Sequence, residues 1–142
     1  MNAREVTILL VDDDKIVPMA IKRSFRQLKI VNPVIEARDG IEALQRLRGQ
    51  NGYAKVPSPY LVLLDLNMPR MGGIEFLEEL RCDPSLAQAI VFVMTTSEAE
   101  QDRMRAYDRN VAGYILKHRL GQGFIEALSM LEHYWRVIEF PE

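Results

Sequence analysis

The most constraining feature of this sequence is the run Val6-Thr7-Ile8-Leu9-Leu10-Val11, which has almost no polar alternation and ends abruptly in Asp12-Asp13-Asp14. Branched apolar residues at consecutive positions suit a strand buried on both faces, as in a parallel sheet, and not an edge strand wetted on one side. Four further short runs follow the same logic: Val34 to Ala37, Tyr60 to Leu64, Ile90 to Met94 and Ala112 to Leu116. Segments of helical period separate them. Asp14 can cap a first helix with apolar positions Ile16, Ala20, Ile21, Phe25 and Leu28, and Pro18 falls in its first turn, where a missing N–H costs little. A second helix carries Ile41, Leu44 and Leu47 after Asp39-Gly40. A third runs from about Ile74 to Arg81, a fourth from Glu98 to Arg109 and a last from about Gln122 to Ile138. Gly49 to Pro59 holds two glycines and two prolines and reads as a surface loop.

Five strands alternating with five helices predict an α/β fold, a doubly wound parallel sheet covered on both faces. In such a sheet every strand-to-helix turn lies at the carboxyl edge, where ligands bind. The length of 142 residues fits one domain, 1–142. With 48% apolar and 27% charged residues the chain reads as an ordinary globular protein, and a net charge of −2 gives no reason to expect a nucleic-acid or membrane partner. The lone Cys82 cannot close an internal disulfide, so a reducing, cytoplasmic setting is expected. The first apolar run is too short for a signal peptide or a membrane span.

Sorting the polar residues by sheet edge gathers a site. Strand one ends in Asp12 and Asp13, strand three in Asp65, strand four in Thr95 and Thr96, and strand five in Lys117. Carboxylates brought this close repel one another unless a cation sits among them, and hard oxygen donors in an open aqueous site favour Mg²⁺, with Mn²⁺ as an alternative. The central carboxylate, Asp65, can then attack phosphorus and form an aspartyl phosphate, with Thr95 donating a hydrogen bond and Lys117 pairing with a phosphoryl oxygen. Taken singly each residue has a plainer reading. Three aspartates can be a solvated loop, Thr95-Thr96-Ser97 a capping cluster, and Lys117 surface decoration.

Val11-Asp12-Asp13, Leu64-Asp65-Leu66-Asn67-Met68-Pro69 with Gly72-Gly73, Met94-Thr95-Thr96 and Gly113-Tyr114-Ile115-Leu116-Lys117 together resemble the receiver domain of two-component response regulators, in order and in spacing. The resemblance implies a flavodoxin-like sheet of order 2-1-3-4-5. It implies that Asp65 is the phosphoacceptor, fed by a phosphohistidine on a sensor histidine kinase. Asp13 and Asp65 would bind the metal directly, Asp12 through water and Asn67 through its backbone carbonyl. Thr95 and Lys117 would grip the phosphoryl group, and Tyr114 would turn inward as Thr95 moves, biasing a two-state element. One position departs from the pattern: His118 stands where the family usually has proline, so a trans peptide and a differently shaped loop are expected there.

The last helix carries two apolar stripes, one through Phe124, Leu128, Leu131, Trp135 and Ile138, the other through Ala127, Met130, Tyr134 and Val137. That width predicts a homodimer using Met130, Tyr134, Trp135, Val137, Ile138 and Phe140. The long loop before strand three and the Tyr134-Trp135-Arg136 ending resemble the stand-alone receivers paired with bacteriophytochromes; a chemotaxis-type regulator or a phosphorelay intermediate is the alternative. An enzyme is not expected. Phosphohydrolases with an Asp nucleophile carry a second Asp two residues on, and Asn67 at that place cannot transfer a proton as a carboxyl does. A dinucleotide site is excluded because three aspartates stand where a Gly-rich loop would be.

Overall fold

The computed structural model describes residues 6–66, 68, 70–95, 111–116, 129–130 and 132–134. In chain order the elements are β1 (Thr7–Val11), α1 (Ile16–Gln27), β2 (Val34–Ala37), α2 (Gly40–Arg48), β3 (Tyr60–Asp65), α3 (Gly73–Cys82), β4 (Ile90–Thr95) and β5 (Gly113–Leu116). Residues 129–130 and 132–134 are helical, within the span expected for the last helix. The expected fourth helix, Glu98 to Arg109, lies outside the described residues.

The strands form one sheet of order β2-β1-β3-β4-β5, and every neighbouring pair is parallel. Alternate residues of each strand serve opposite faces. Leu9, Val62, Leu64 and Val93 belong to the core shared with α2 and α3, where Leu47, Phe76 and Leu80 are almost wholly buried. Ile8, Leu10, Leu61 and Leu63 belong to the core under α1, with Val17, Ile21 and Phe25. Both faces are therefore dry, which is why the strand sequences show no polar alternation.

Register does the positioning. Val11 pairs with Leu64, Asp65 with Met94 and Thr95 with Leu116, so the strands end nearly level at one edge. The N–H of Asp12 donates to the carbonyl of Ala37 at 3.0 Å, carrying the β1–β2 pairing one step past the strands.

Two local expectations need correcting. Ile16 is 65% exposed, because the inward stripe of α1 runs through Val17, Ile21, Ser24 and Phe25. One residue along a helix is a turn of about 100°, enough to carry Ile16 off that stripe. The segment from Gly49 to Pro59 is not purely a surface loop either. Val56 is buried against the α2–α3 core, and its N–H donates to the carbonyl of Arg46 at 3.0 Å. The expected role of Asp14 is met in a modified form. Its Oδ1 accepts from the N–H of Ile16 at 2.8 Å, one residue upstream of the Lys15 that stands at the cap position.

Candidate metal and phosphoryl site

Asp12 follows β1, Asp13 comes next, and Asp65 is the last residue of β3. One carboxylate oxygen from each lies within 4.8 Å of the others. Asp12 and Asp65 are buried, whereas Asp13 is exposed and gives the cluster its open side. The carboxylate of Asp12 also shapes the turn, since its Oδ1 accepts from the N–H of Asp14 at 2.8 Å. At an effective dielectric of 20, two unit charges 4.8 Å apart repel by about 3.5 kcal/mol. A divalent cation among the three reverses that sign. Three hard oxygen donors with one side open to water suit an ion that keeps part of its hydration shell.

The turn after Asp65 is built by close backbone approach. The N–H of Gly73 donates to the carbonyl of Leu66 at 3.0 Å, closing the loop at the start of α3. A Cβ on Gly73 would lie 2.7 Å from the carbonyl oxygen of Asp65 and 2.8 Å from Cα of Leu66. Only glycine fits there, which is the physical reason for Gly73 in the motif.

The other expected residues divide plainly. Thr95 ends β4, paired with Leu116, so its backbone reaches the same edge as Asp65. Tyr114 sits on β5 opposite Val93, half-buried against the α2–α3 core. Met130 is 74% exposed. Tyr134 packs edge-to-face on Phe92 of β4, with centroids 5.2 Å apart and planes at 88°. Asn67, Thr96, Ser97, Lys117, His118, Trp135, Val137, Ile138 and Phe140 lie outside the described residues.

One feature escaped the sequence reading. Asp39 is buried at the start of α2, and its Oδ1 accepts from the N–H of Glu42 at 2.9 Å. Its Oδ2 accepts from Arg70, whose Nε and Nη2 both approach to 2.7 Å. The Asp39-Gly40-Ile41-Glu42 spacing is a capping signature and could have flagged the helix start. Nothing in sequence flags its pairing with a turn residue 31 positions away.

The resolved pKa shifts belong to the other end of the sheet. Burial raises the Tyr60 phenol above its ordinary value, and the charge of Asp83 adds to it. Burial lowers Arg81. The hydroxyl and N–H of Ser85, then Arg48, hold Asp83 below the usual carboxylate range. A cavity of about 320 Å³, bordered by Lys55, Tyr60 and Gln88, opens at that end too. Tyr60 starts β3 and Asp65 ends it, some five residues or roughly 16 Å apart. These perturbed groups are a network tying α2, β3 and the α3–β4 turn together, distant from the carboxylate cluster.

Comparison with known proteins gives the family. Residues 8–128 match the family model described as the response regulator receiver domain. The chain belongs to that family. Response regulator Rcp1 of Synechocystis sp. is 34% identical over 128 residues, covering 90% of this chain and 87% of Rcp1. The crystal structure of Rcp1 in its Mn²⁺-bound form superposes with a TM-score of 0.81 at 33% identity, covering 96% of this chain and 99% of that one. The phosphorylated cyanobacterial phytochrome response regulator RcpA gives a TM-score of 0.84 at 34% identity, with 98% and 100% covered. The bacteriophytochrome response regulator RtBRR gives 0.81 at 30% identity, with 98% and 85% covered. The receiver domain is thus a response regulator homologous to phytochrome response regulators, and the family's phosphoacceptor role comes with it.

Proposed function

We propose that this chain is a Mg²⁺-dependent phosphorylation switch whose acceptor is Asp65 and whose donor is a phosphohistidine on a sensor histidine kinase, specifically a bacteriophytochrome. The observation that carries the reading is the gathering of Asp12, Asp13 and Asp65 within 4.8 Å at the carboxyl edge of the sheet. A carboxylate oxygen of Asp65 attacks phosphorus, the P–N bond to the kinase imidazole breaks, and the imidazole leaves with that electron pair. Asp13 and Asp65 would hold the metal directly, Asp12 through water, with the carbonyl of Asn67 completing the protein's share. When bound, a divalent cation would supply positive charge to offset that developing on the phosphoryl oxygens. Thr95 and Lys117 take the remaining phosphoryl oxygens, and Tyr114 follows Thr95 inward. Asn67 stands where a phosphohydrolase carries its proton-transferring Asp, so the adduct persists as a signal and the chain is a switch, not a phosphohydrolase.

The phytochrome assignment is supported by the likeness to RcpA and RtBRR over nearly the whole chain. It is tested by mixing the protein with an autophosphorylated bacteriophytochrome and, separately, with an unrelated sensor kinase. Transfer from the phytochrome that is faster by tenfold or more is the expected outcome; equal transfer from both contradicts the pairing. A cytoplasmic setting, the compartment of such kinases, fits the lone Cys82, and among the described residues no helix is long and apolar enough to cross a membrane.

The readout is a homodimer through the last helix and its tail, from Met130 and Tyr134 to Trp135, Val137, Ile138 and Phe140. The exposure of Met130 supports this, while Tyr134 spends part of its ring on Phe92 within the chain. Light scattering at micromolar concentration, with and without beryllofluoride, should report a dimer in at least one state. A monomer in both removes the dimer from the account.

A further inference from the structure

Asp39 and Arg70 do not touch the acceptor, yet they join its loop to the neighbouring helix. Residues 66–72 connect Asp65 to α3 and include Asn67, the position expected to offer a carbonyl to the metal. Closure by Gly73 and Leu66 fixes the foot of this loop. Arg70 and Met71, in its second half, are tied to the start of α2. Arg70 donates through Nε and Nη2 to Oδ2 of Asp39, both at 2.7 Å, a two-pronged grip that a lysine cannot reproduce. The next carbonyl, of Met71, accepts from the N–H of Gly40 at 3.1 Å. The Met71 side chain closes over Gly40 so tightly that a Cβ there would meet Cγ at 2.7 Å.

Arg70 has φ +62°, a left-handed conformation that a non-glycine residue keeps only where its surroundings hold it. The Asp39 end of the pair is fixed just as firmly. That carboxylate is buried, caps α2 through Glu42, and stands two residues past Ala37, whose carbonyl accepts from the N–H of Asp12. A continuous path thus runs from the backbone of Asp12, through the start of α2, to Arg70 and Met71 of the acceptor loop.

We infer that the Asp39–Arg70 ion pair is a positioning device for phosphorylation: it holds the loop after Asp65 in the shape that binds the metal and accepts the phosphoryl group. The inference rests on Asp65 being the acceptor. Arg70 is 59% exposed along its side chain, so its removal leaves the core intact, and the effect falls on the loop's geometry instead of on the fold.

The test uses the full chain, acetyl phosphate as donor and Mg²⁺ varied over a wide range. Asp39→Asn keeps a capping oxygen for Glu42 while removing the charge that Arg70 grips. Arg70→Gly removes the grip and relaxes the left-handed backbone, which offsets part of the cost of leaving the Asp39 carboxylate without its cation. Each should raise by about tenfold both the Mg²⁺ concentration giving half the maximal phosphorylation rate and the one giving half the Mg²⁺-dependent gain in urea stability, the scale seen when groups supporting metal ligands are lost. The double variant should be no worse than either single one, because the two share one interaction. Arg70→Lys should recover part of the loss. Wild-type Mg²⁺ dependence in Asp39→Asn and Arg70→Gly, with Asp65 labelled normally, overturns the positioning role and leaves the acceptor intact. Additive losses in the double variant overturn it as well. Absence of label on wild-type Asp65 would instead bring down the acceptor reading, and this inference with it.

Discussion

Asp13→Asn will leave the fold in place and slow Mg²⁺-dependent phosphorylation of Asp65 by roughly 10²–10³-fold, the usual cost of removing one group that stabilises charge in a reacting site. Among the described residues the Asp13 carboxylate is exposed and takes no hydrogen bond or ion pair, so the fold does not use it. Asp12 is a poorer probe, because its Oδ1 also holds the turn through the N–H of Asp14. Removing one of three crowded negative charges should leave stability without added metal unchanged or slightly higher, within the roughly 0.5 kcal/mol typical of surface changes. Stability with metal should respond differently. Wild-type protein gains about 2.7 kcal/mol at a Mg²⁺ concentration one hundred times its dissociation constant, and Asp13→Asn loses most of that gain at the same concentration. Urea unfolding with and without Mg²⁺, beside initial phosphorylation rates, measures both. A variant phosphorylated at the parental rate would remove Asp13 from the site.

Gly73→Val should damage stability and chemistry together. A Cβ at this position would sit 2.7 Å from the carbonyl oxygen of Asp65 and 2.8 Å from Cα of Leu66, and both atoms are backbone. Neither can swing aside as a flexible side chain would, so relief must move the acceptor's own strand end or the start of α3. Overpacking of this kind costs about 1–3 kcal/mol, a sizeable share of the roughly 5–15 kcal/mol available to a domain. Misplacing a reacting group by about 1 Å can cost on the order of 10²-fold in rate. Gly72→Ser is the control. A Cβ there meets its nearest atom, the carbonyl oxygen of Leu66, at an ordinary 3.5 Å, and serine is a good residue for the cap position that Gly72 occupies. Urea midpoints and phosphorylation rates should fall sharply for Gly73→Val and stay near parental for Gly72→Ser. Equal behaviour of the two would mean that the close approach at Gly73 does not hold the loop.

Much of this arrangement was legible in sequence, for identifiable reasons. The strands were readable because both faces of the sheet are dry, so Val6 to Val11 and Tyr60 to Leu64 have almost none of the polar alternation that would blur them. The carboxylates were readable because parallel strands of similar length end together, which turns Asp12, Asp13 and Asp65 from scattered positions into one cluster. Ile16 misled because it is apolar at the first turn, where a shift of one residue separates Val17 in the core from Ile16 in water. Val56 was hidden in a segment whose glycines and prolines announce a loop without saying which residue turns inward. The Asp39–Arg70 pair was beyond reach of any local pattern. Its two members belong to different turns, and only the β2-β1-β3 strand order brings those turns side by side.

The central claim is that Asp65 carries the phosphoryl group, and mapping the adduct tests it most directly. Wild-type protein and Asp65→Asn are incubated with Mg²⁺ and acetyl phosphate, treated with borohydride to convert any aspartyl phosphate to a stable product, and digested for mass spectrometry. The account predicts the modified residue at position 65 in the wild type and none in Asp65→Asn. Label on another residue, or equal label in Asp65→Asn, would contradict it.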